Sequence, residues 1–273
     1  GDRFTDQPNY ATMEFKDEIV NRDPRLAQTI RTSNINMNVT MTGYHLLKYA
    51  NDNMNYTGNL SNDLPLFRLA EIYLNYAEAK AELGTLTQTD IDNTINRLRT
   101  RAGVTGKLNM NKANQNPDPY MCDSKTGYVN VTGDNKGVIL EIRRERAIEL
   151  VMEGFRYYDL MRWKEGQCIA QSFQGFYLPA TAINKAYDID GDGTNDVCFY
   201  TTSSQPNVGS MTYVKLASDG SGTSLSEGNY GNLLCYSWID RTWNEERDYL
   251  YPIPRQEITL SDGIVTQNPG WNE

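Results

Sequence analysis

The most chemically loaded stretch of this sequence is Asp188-Ile189-Asp190-Gly191-Asp192-Gly193-Thr194-Asn195-Asp196. Carboxylates this crowded repel one another unless a cation or a proton relieves them. Their alternation, with glycine at the sharp turn, is the pattern that offers a hard divalent cation several oxygens at short range. The expected Ca2+ ligands are the carboxylates of Asp188, Asp190, Asp192 and Asp196 and the backbone carbonyl of Thr194. A helix-flanked calcium loop would carry glutamate at its twelfth position. Phe199 stands there, and no helix is predicted on either side. The reading is therefore a structural Ca2+ in a hairpin, set against a metal-free turn, because Asp-Gly is a turn dipeptide in its own right.

Glu145, Glu149 and Glu153 recur every four residues, which places them on one helical face. Two carboxylates ~5–10 Å apart are the equipment of a glycoside hydrolase, so this row defines the enzymatic rival. Arg143, Arg144, Arg146, Arg156 and Arg162 lie close in sequence. Guanidinium neighbours lower a carboxyl pKa, whereas a general acid needs it raised. The row reads better as an ion-pair network tying the third predicted helix to the fourth. The third group is aromatic: Tyr44, Tyr49 and Tyr56, interspersed with Asn51, Asp52, Asn53 and Asn55. Sugar C–H faces lie flat on such rings while amides and carboxylates bond the hydroxyls, so these tyrosines are the candidate ligand-binding residues. His45, the only histidine, lies among them, which removes His-ligated zinc and HExxH chemistry. Any Ser-His-Asp arrangement would have to use His45, in a segment with no nucleophile elbow.

These residues must be positioned by two kinds of chain. Apolar residues at Leu66, Leu69, Tyr73, Tyr76, Ala77 and Leu83 predict a helix from Leu66 to Leu83, with Glu71, Asn75, Glu78 and Glu82 opposite. Pro65 suits its start and Gly84 its end. A second helix is predicted from about Thr89 to Arg101, acidic in its first turn and basic in its last, matching the helix dipole. Residues 104–136 read as a long polar surface excursion. A third helix runs from about Val138 to Glu153 and a fourth from Phe155 to Glu165, bent apart at Gly154. Tyr73, Tyr76, Tyr157, Tyr158 and Trp163 are assigned to the core of these helices. Residues 1–62 are polar and mixed, with a short helix around Thr12 to Val20 and strand-like or irregular chain from Thr40 to Ala50. After Phe173 the sequence turns to short strands and turns rich in Gly, Ser and Asn.

Of 273 residues, 39% are hydrophobic, enough for a sizeable core. The net charge of −9 and the lack of a basic stripe argue against nucleic acid as a partner. No apolar run approaches the ~20 residues that span a bilayer, and the sequence shows neither a signal peptide nor a lipobox, so any anchor is expected upstream. Cys122, Cys168, Cys198 and Cys235 form no CxxC pair; free thiols and a single disulfide both remain open.

Four segments together resemble the SusD/RagB family: Leu66 to Ala79, Ile142 to Leu150, Gly154 to Trp163, and the tail Tyr251-Pro252-Ile253-Pro254 with Gln267-Asn268-Pro269-Gly270-Trp271. Asn21 to Leu26 is similar to a family stretch as well. The resemblance covers essentially all of residues 1–273 but only the carboxy-terminal half of a full-length member. It implies a mainly α (α+β) fold, with tetratricopeptide-like helical hairpins at about 65–166 packed against a loop-rich region with short strands at about 167–273. It further implies a lipid-anchored protein of the outer membrane and cell surface. Such a protein binds oligosaccharides or polysaccharides, or in some members peptides, and delivers them without catalysis to a SusC-like TonB-dependent transporter. Tyr44 to Tyr56 lies near where members place part of the ligand site, and 104–136 and about 201–232 lie where members vary. A helical protein-interaction scaffold is the third reading.

Overall fold

The computed structural model describes residues 3–50, 63, 65–217 and 222–271. Residues 3–50 hold two single-turn α-helices, α1 (Phe15–Glu18) and α2 (Leu26–Thr29), and irregular chain with isolated bridges between Ile30 and Leu46 and between Glu14 and Tyr177. A helical block follows: α3 (Leu69–Glu82), α4 (Gln88–Asn93), α5 (Ile95–Arg101), α6 (Met110–Gln115), α7 (Pro119–Cys122), α8 (Lys136–Glu149) and α9 (Arg156–Trp163). Beyond it lie β1 (Phe173–Leu178), β2 (Val197–Tyr200), β3 (Thr212–Lys215), β4 (Ser224–Leu225), β5 (Gly231–Cys235) and α10 (Arg255–Leu260). β5 sits between β1 and β4 in an antiparallel sheet, and β2 and β3 form a parallel pair.

Two hydrophobic cores result. The helical core is centred on α3 against α8, with Leu74, Ala77, Ile91, Ile95, Leu140 and Ile142 excluded from solvent. α3 begins after the extended residue Arg68 and ends where Gly84 takes a φ of 69°, the left-handed turn that glycine adopts at no steric cost. Its buried face differs in part from the expected one: Ala77 is buried and Tyr73 packs on the core as expected, but Ala70, Leu74 and Ala81 point inward with them, while Leu69, Tyr76 and Leu83 are 60%, 47% and 75% exposed. The helix is apolar on two faces. The alanine-rich face lets α8 approach closely, and it also carries Glu78 to its partners.

The single helix predicted over 89–101 breaks at Thr94, where the backbone leaves helical geometry (φ −124°, ψ −89°). Thr87 and Asp90 form a reciprocal capping box that starts α4. Residues 104–136 are not a surface excursion: they contain α6 and α7 and send Leu108, Ala113, Met121, Tyr128 and Val131 into the helical core. Long-range bonds hold them there, with the Asn96 side chain pairing both backbone groups of Leu108 and Asn114 accepting from the Val138 N–H. Of the aromatics assigned to the core, Trp163 is buried and Tyr73 packs against the cluster. Tyr76, Tyr157 and Tyr158 are instead exposed.

The second core is built on aromatic rings from distant segments. Phe15, Phe176 and Phe199 meet edge to face at 6.1 and 6.0 Å. Gly43 (φ 83°) permits this, because a Cβ there would lie 2.2 Å from the Phe176 ring. The four cysteines are free thiols. Among the described residues no helix is long and apolar enough to cross a membrane.

Candidate functional site

The glutamate row on α8 is fully engaged. Glu145 accepts from Arg25 and from Arg99, each at 2.7 Å. Glu149 accepts from Arg25 (2.9 Å), Arg68 (2.5 Å) and Arg101 (2.7 Å to both oxygens). Glu153, in the turn after α8, accepts two bonds from Arg68 at 2.6 Å and one from Lys48 at 2.5 Å. Arg25 is itself clamped by Asp23 in the same Asp-Pro-Arg turn. Burial pushes the carboxyls of Glu149 and Glu153 up, but the surrounding guanidinium groups and Lys48 more than offset it, and both titrate below the usual carboxylate range. The row thus binds α8 to the segments at 23–25, 48, 68 and 99–101. The link between the third and fourth predicted helices, α8 and α9, runs through Arg146, which donates to Asp159 at 2.6 Å, while Arg162 bridges Asp159 on α9 to Glu78 on α3. Sequence reading missed Lys48, Arg68, Arg99 and Arg101; their spacing on the chain carries no sign of a shared partner.

The aspartate loop folds into a tight turn between the chain at Tyr187 and β2. One oxygen each from Asp188, Asp190 and Asp196 lie within 4.8 Å of one another. Two ligands of one calcium ion, each ~2.3–2.6 Å from it, are separated by no more than that order. Asp188 accepts from the N–H groups of Gly191 and Gly193, which shape the turn, and Asp196 accepts from that of Ile189. Asp190 Oδ2 is buried and has no hydrogen-bond partner among the described residues. Burial, then the crowding of neighbouring carboxylates, raises the Asp190 carboxyl and pushes that of Asp196 up to about 6. Asp192 stands outside the trio, its carboxylate accepting from the Thr194 N–H at 2.7 Å. Asp196 also lines an open, polar cleft of about 630 Å³ with Asn34, Asn36, Asn38, Gln205 and Thr212.

The three candidate tyrosines fare differently. Tyr44 packs its ring 5.8 Å from Phe15 on the edge of the second core and donates its hydroxyl to Glu18 at 2.7 Å. Burial, then Glu18, raises its phenol well above the ordinary value. Tyr49 is exposed, in left-handed backbone (φ 66°), beside Lys48 and the Glu153 carboxylate. Tyr56 lies outside the described residues.

A protein-family model described as the SusD family matches residues 31–271. Among solved structures, a SusD-like carbohydrate-binding protein from Bacteroides fragilis is 22% identical, with a TM-score of 0.53. The alignment covers 93% of this chain and 43% of that one. A SusD-like protein from the same organism is 25% identical, with a TM-score of 0.47, over 85% of this chain and 31% of its own. Among curated proteins there is no match. This chain therefore spans less than half the length of either solved relative. With a family match running through both hydrophobic cores and the glutamate row between them, the chain belongs to the SusD family.

Proposed function

We propose that this chain is part of a cell-surface protein that captures oligosaccharides and delivers them, uncleaved, to a SusC-like TonB-dependent transporter of the outer membrane. A lipid anchor and tetratricopeptide-like pairing of the helices are part of the same reading. The observation that carries it is the family match over residues 31–271, supported in fold by a relative described as carbohydrate-binding. The chemistry of α8 favours capture over hydrolysis. A glycosidase needs one carboxyl held protonated near its working pH, and Glu149 and Glu153 are held ionised by cations. Within the same reading, the 188–196 loop holds a structural Ca2+ on Asp188, Asp190 and Asp196. The Thr194 carbonyl and Asp192 complete the shell when the loop closes on the ion.

The test is a panel of neutral and acidic oligosaccharides, measured in parallel for binding and for release of reducing ends. Binding with no new reducing ends is the expected result. Turnover of any member that disappears in Glu149→Gln would establish the hydrolase instead, and a protein that bound no member would favour the interaction scaffold.

A further inference from the structure

Residues 236–271 are ordered without belonging to either core. None of them is buried, and none joins the helical or the aromatic cluster. The segment is instead tied to itself. Gln267 pairs with both backbone groups of Ile253, accepting from its N–H at 2.8 Å and donating to its carbonyl at 3.0 Å. The Asn268 side-chain amide and the Trp271 indole donate to the carbonyls of Tyr251 and Leu250. Arg247 lies 5.0 Å over the Trp271 ring and close against Gly270, whose φ of 77° makes the turn between them.

Its connection to the sheet is thin. β5 ends at Cys235, and the next residue, Tyr236, takes left-handed backbone (φ 58°) at the start of an exposed run from 236 to 240. The joint with the helical block lies at Gly166, which opens the 3-10 helix Gly166–Ala170 after α9. The Trp243 ring rests there so closely that a Cβ on Gly166 would lie 2.0 Å from it. The Gly166 N–H donates to the Tyr249 hydroxyl at 3.0 Å, and the Trp243 and Tyr249 rings meet edge to face at 5.0 Å. On the block side the seat is firm: the neighbouring Glu165 is fully buried and accepts from the Val129 and Asn130 N–H groups. Two peripheral contacts flank the joint, Tyr251 with Tyr157 and Arg241 over Phe173.

A stretch with no fully buried residue adds little to global stability, so it opens at a lower free energy than the cores do. We propose that residues 236–271 form a hinged strap, which undocks from the helical block as a unit, pivoting at Tyr236, while both cores stay folded. Trp243 on Gly166 is its latch. Opening bares the Gly166 seat and frees the Tyr157 hydroxyl. The inference is independent of the capture reading.

Native-state hydrogen exchange on the whole chain tests this, with the Gly166 amide as reporter because its acceptor lies across the joint. It should exchange at least about a hundredfold faster than the amides of α8 and β5. Gly166→Ala, which drives a methyl into the Trp243 ring, should speed exchange at position 166 about tenfold further, the scale of one lost ring contact. Trp243→Ala should do the same from the strap side, since Trp243 belongs to neither core. In both variants the α8 and β5 amides should keep their rates. So should the Ile253 amide, which Gln267 holds within the strap. A Gly166 amide as slow as those of α8 would mean that the segment opens only with global unfolding, and would overturn the strap. Latch variants that leave position 166 unchanged, or that speed the core amides or the Ile253 amide equally, would overturn it as well.

Discussion

Glu149 receives three guanidinium groups, from residues up to 124 positions away, while its own side chain is 2% exposed. Removing the charge leaves Arg25, itself buried, facing an incomplete shell. Breaking one partner from a buried pair costs ~3–5 kcal/mol because the surviving charge stays desolvated. We predict that Glu149→Gln lowers unfolding free energy by about 3–5 kcal/mol at neutral pH, measured by urea titration. A loss below about 1 kcal/mol would show that water or Glu145 takes over the role. The aspartate loop makes a second residue-level prediction. A bound ion at one hundred times its dissociation constant adds about 2.7 kcal/mol, so Ca2+ should raise the melting temperature and EDTA lower it. Asp190→Ala should abolish the difference; identical melts with and without Ca2+ would refute the site. The two cases also differ in legibility. The aspartate cluster is local in sequence, so spacing points to Asp188, Asp190 and Asp196, together with Asp192, which the fold leaves outside the trio. The partners of Glu149 arrive from three distant segments, and no spacing rule connects Arg25 or Arg68 to α8.

At the scale of the elements, α3 shows where periodicity misleads. Leu69, Tyr76 and Leu83 form a genuine apolar stripe, and any amphipathicity argument selects it. The stripe α3 buries instead is Ala70, Leu74, Ala77 and Ala81, because small residues allow close approach to α8 and Glu78 meets Arg162 and the Trp163 N–H there. The face assignment yields opposed expectations for two chemically identical changes. Leu74→Ala, at a fully buried position, should cost about 2–5 kcal/mol. Leu69→Ala, at a position 60% exposed, should stay within about 0.5 kcal/mol. Thermal melts of the two variants decide it, and equal losses would return Leu69 to a packed surface. The helices at 69–82, 136–149 and 156–163 were otherwise visible in the sequence to within a few residues. The break at Thr94 and the burial of 104–136 were not, since Asn96 and Asn114 fix those segments through tertiary bonds that leave no periodic trace.

For the whole molecule, the glutamate row acts as an ionic seam between the two cores. Leu26 packs against the aromatic core while its neighbour Arg25 bonds Glu145 and Glu149 of α8 in the helical core. The aromatic core itself could not be read from sequence, because Phe15, Phe176 and Phe199 come from three separated segments and meet only through folding. The family motifs at 21–26, 66–79 and 142–150 each supply part of the seam, through Arg25, Arg68 and the pair Glu145 and Glu149, and Lys48, Arg99, Arg101 and Glu153 complete it from outside them. Its pH dependence follows from sign. The carboxyls of Asp23, Glu149 and Glu153 all titrate below their ordinary values in the fold. A depressed folded-state pKa contributes stability that is fully present above the unfolded value, near 4.5 for glutamate, and is lost as pH falls through the folded value. The seam's contribution to stability should therefore hold from neutral pH down to about 5 and then decline. The charge-free Gln at position 149 cannot take part in that decline, so the gap between Glu149→Gln and the parent should narrow as acid is added. Urea titrations at neutral pH and at successive acid steps test this directly. A gap that stays constant through the acid range would mean that Glu149 stabilises the chain by packing, with the seam contributing no net charge–charge free energy.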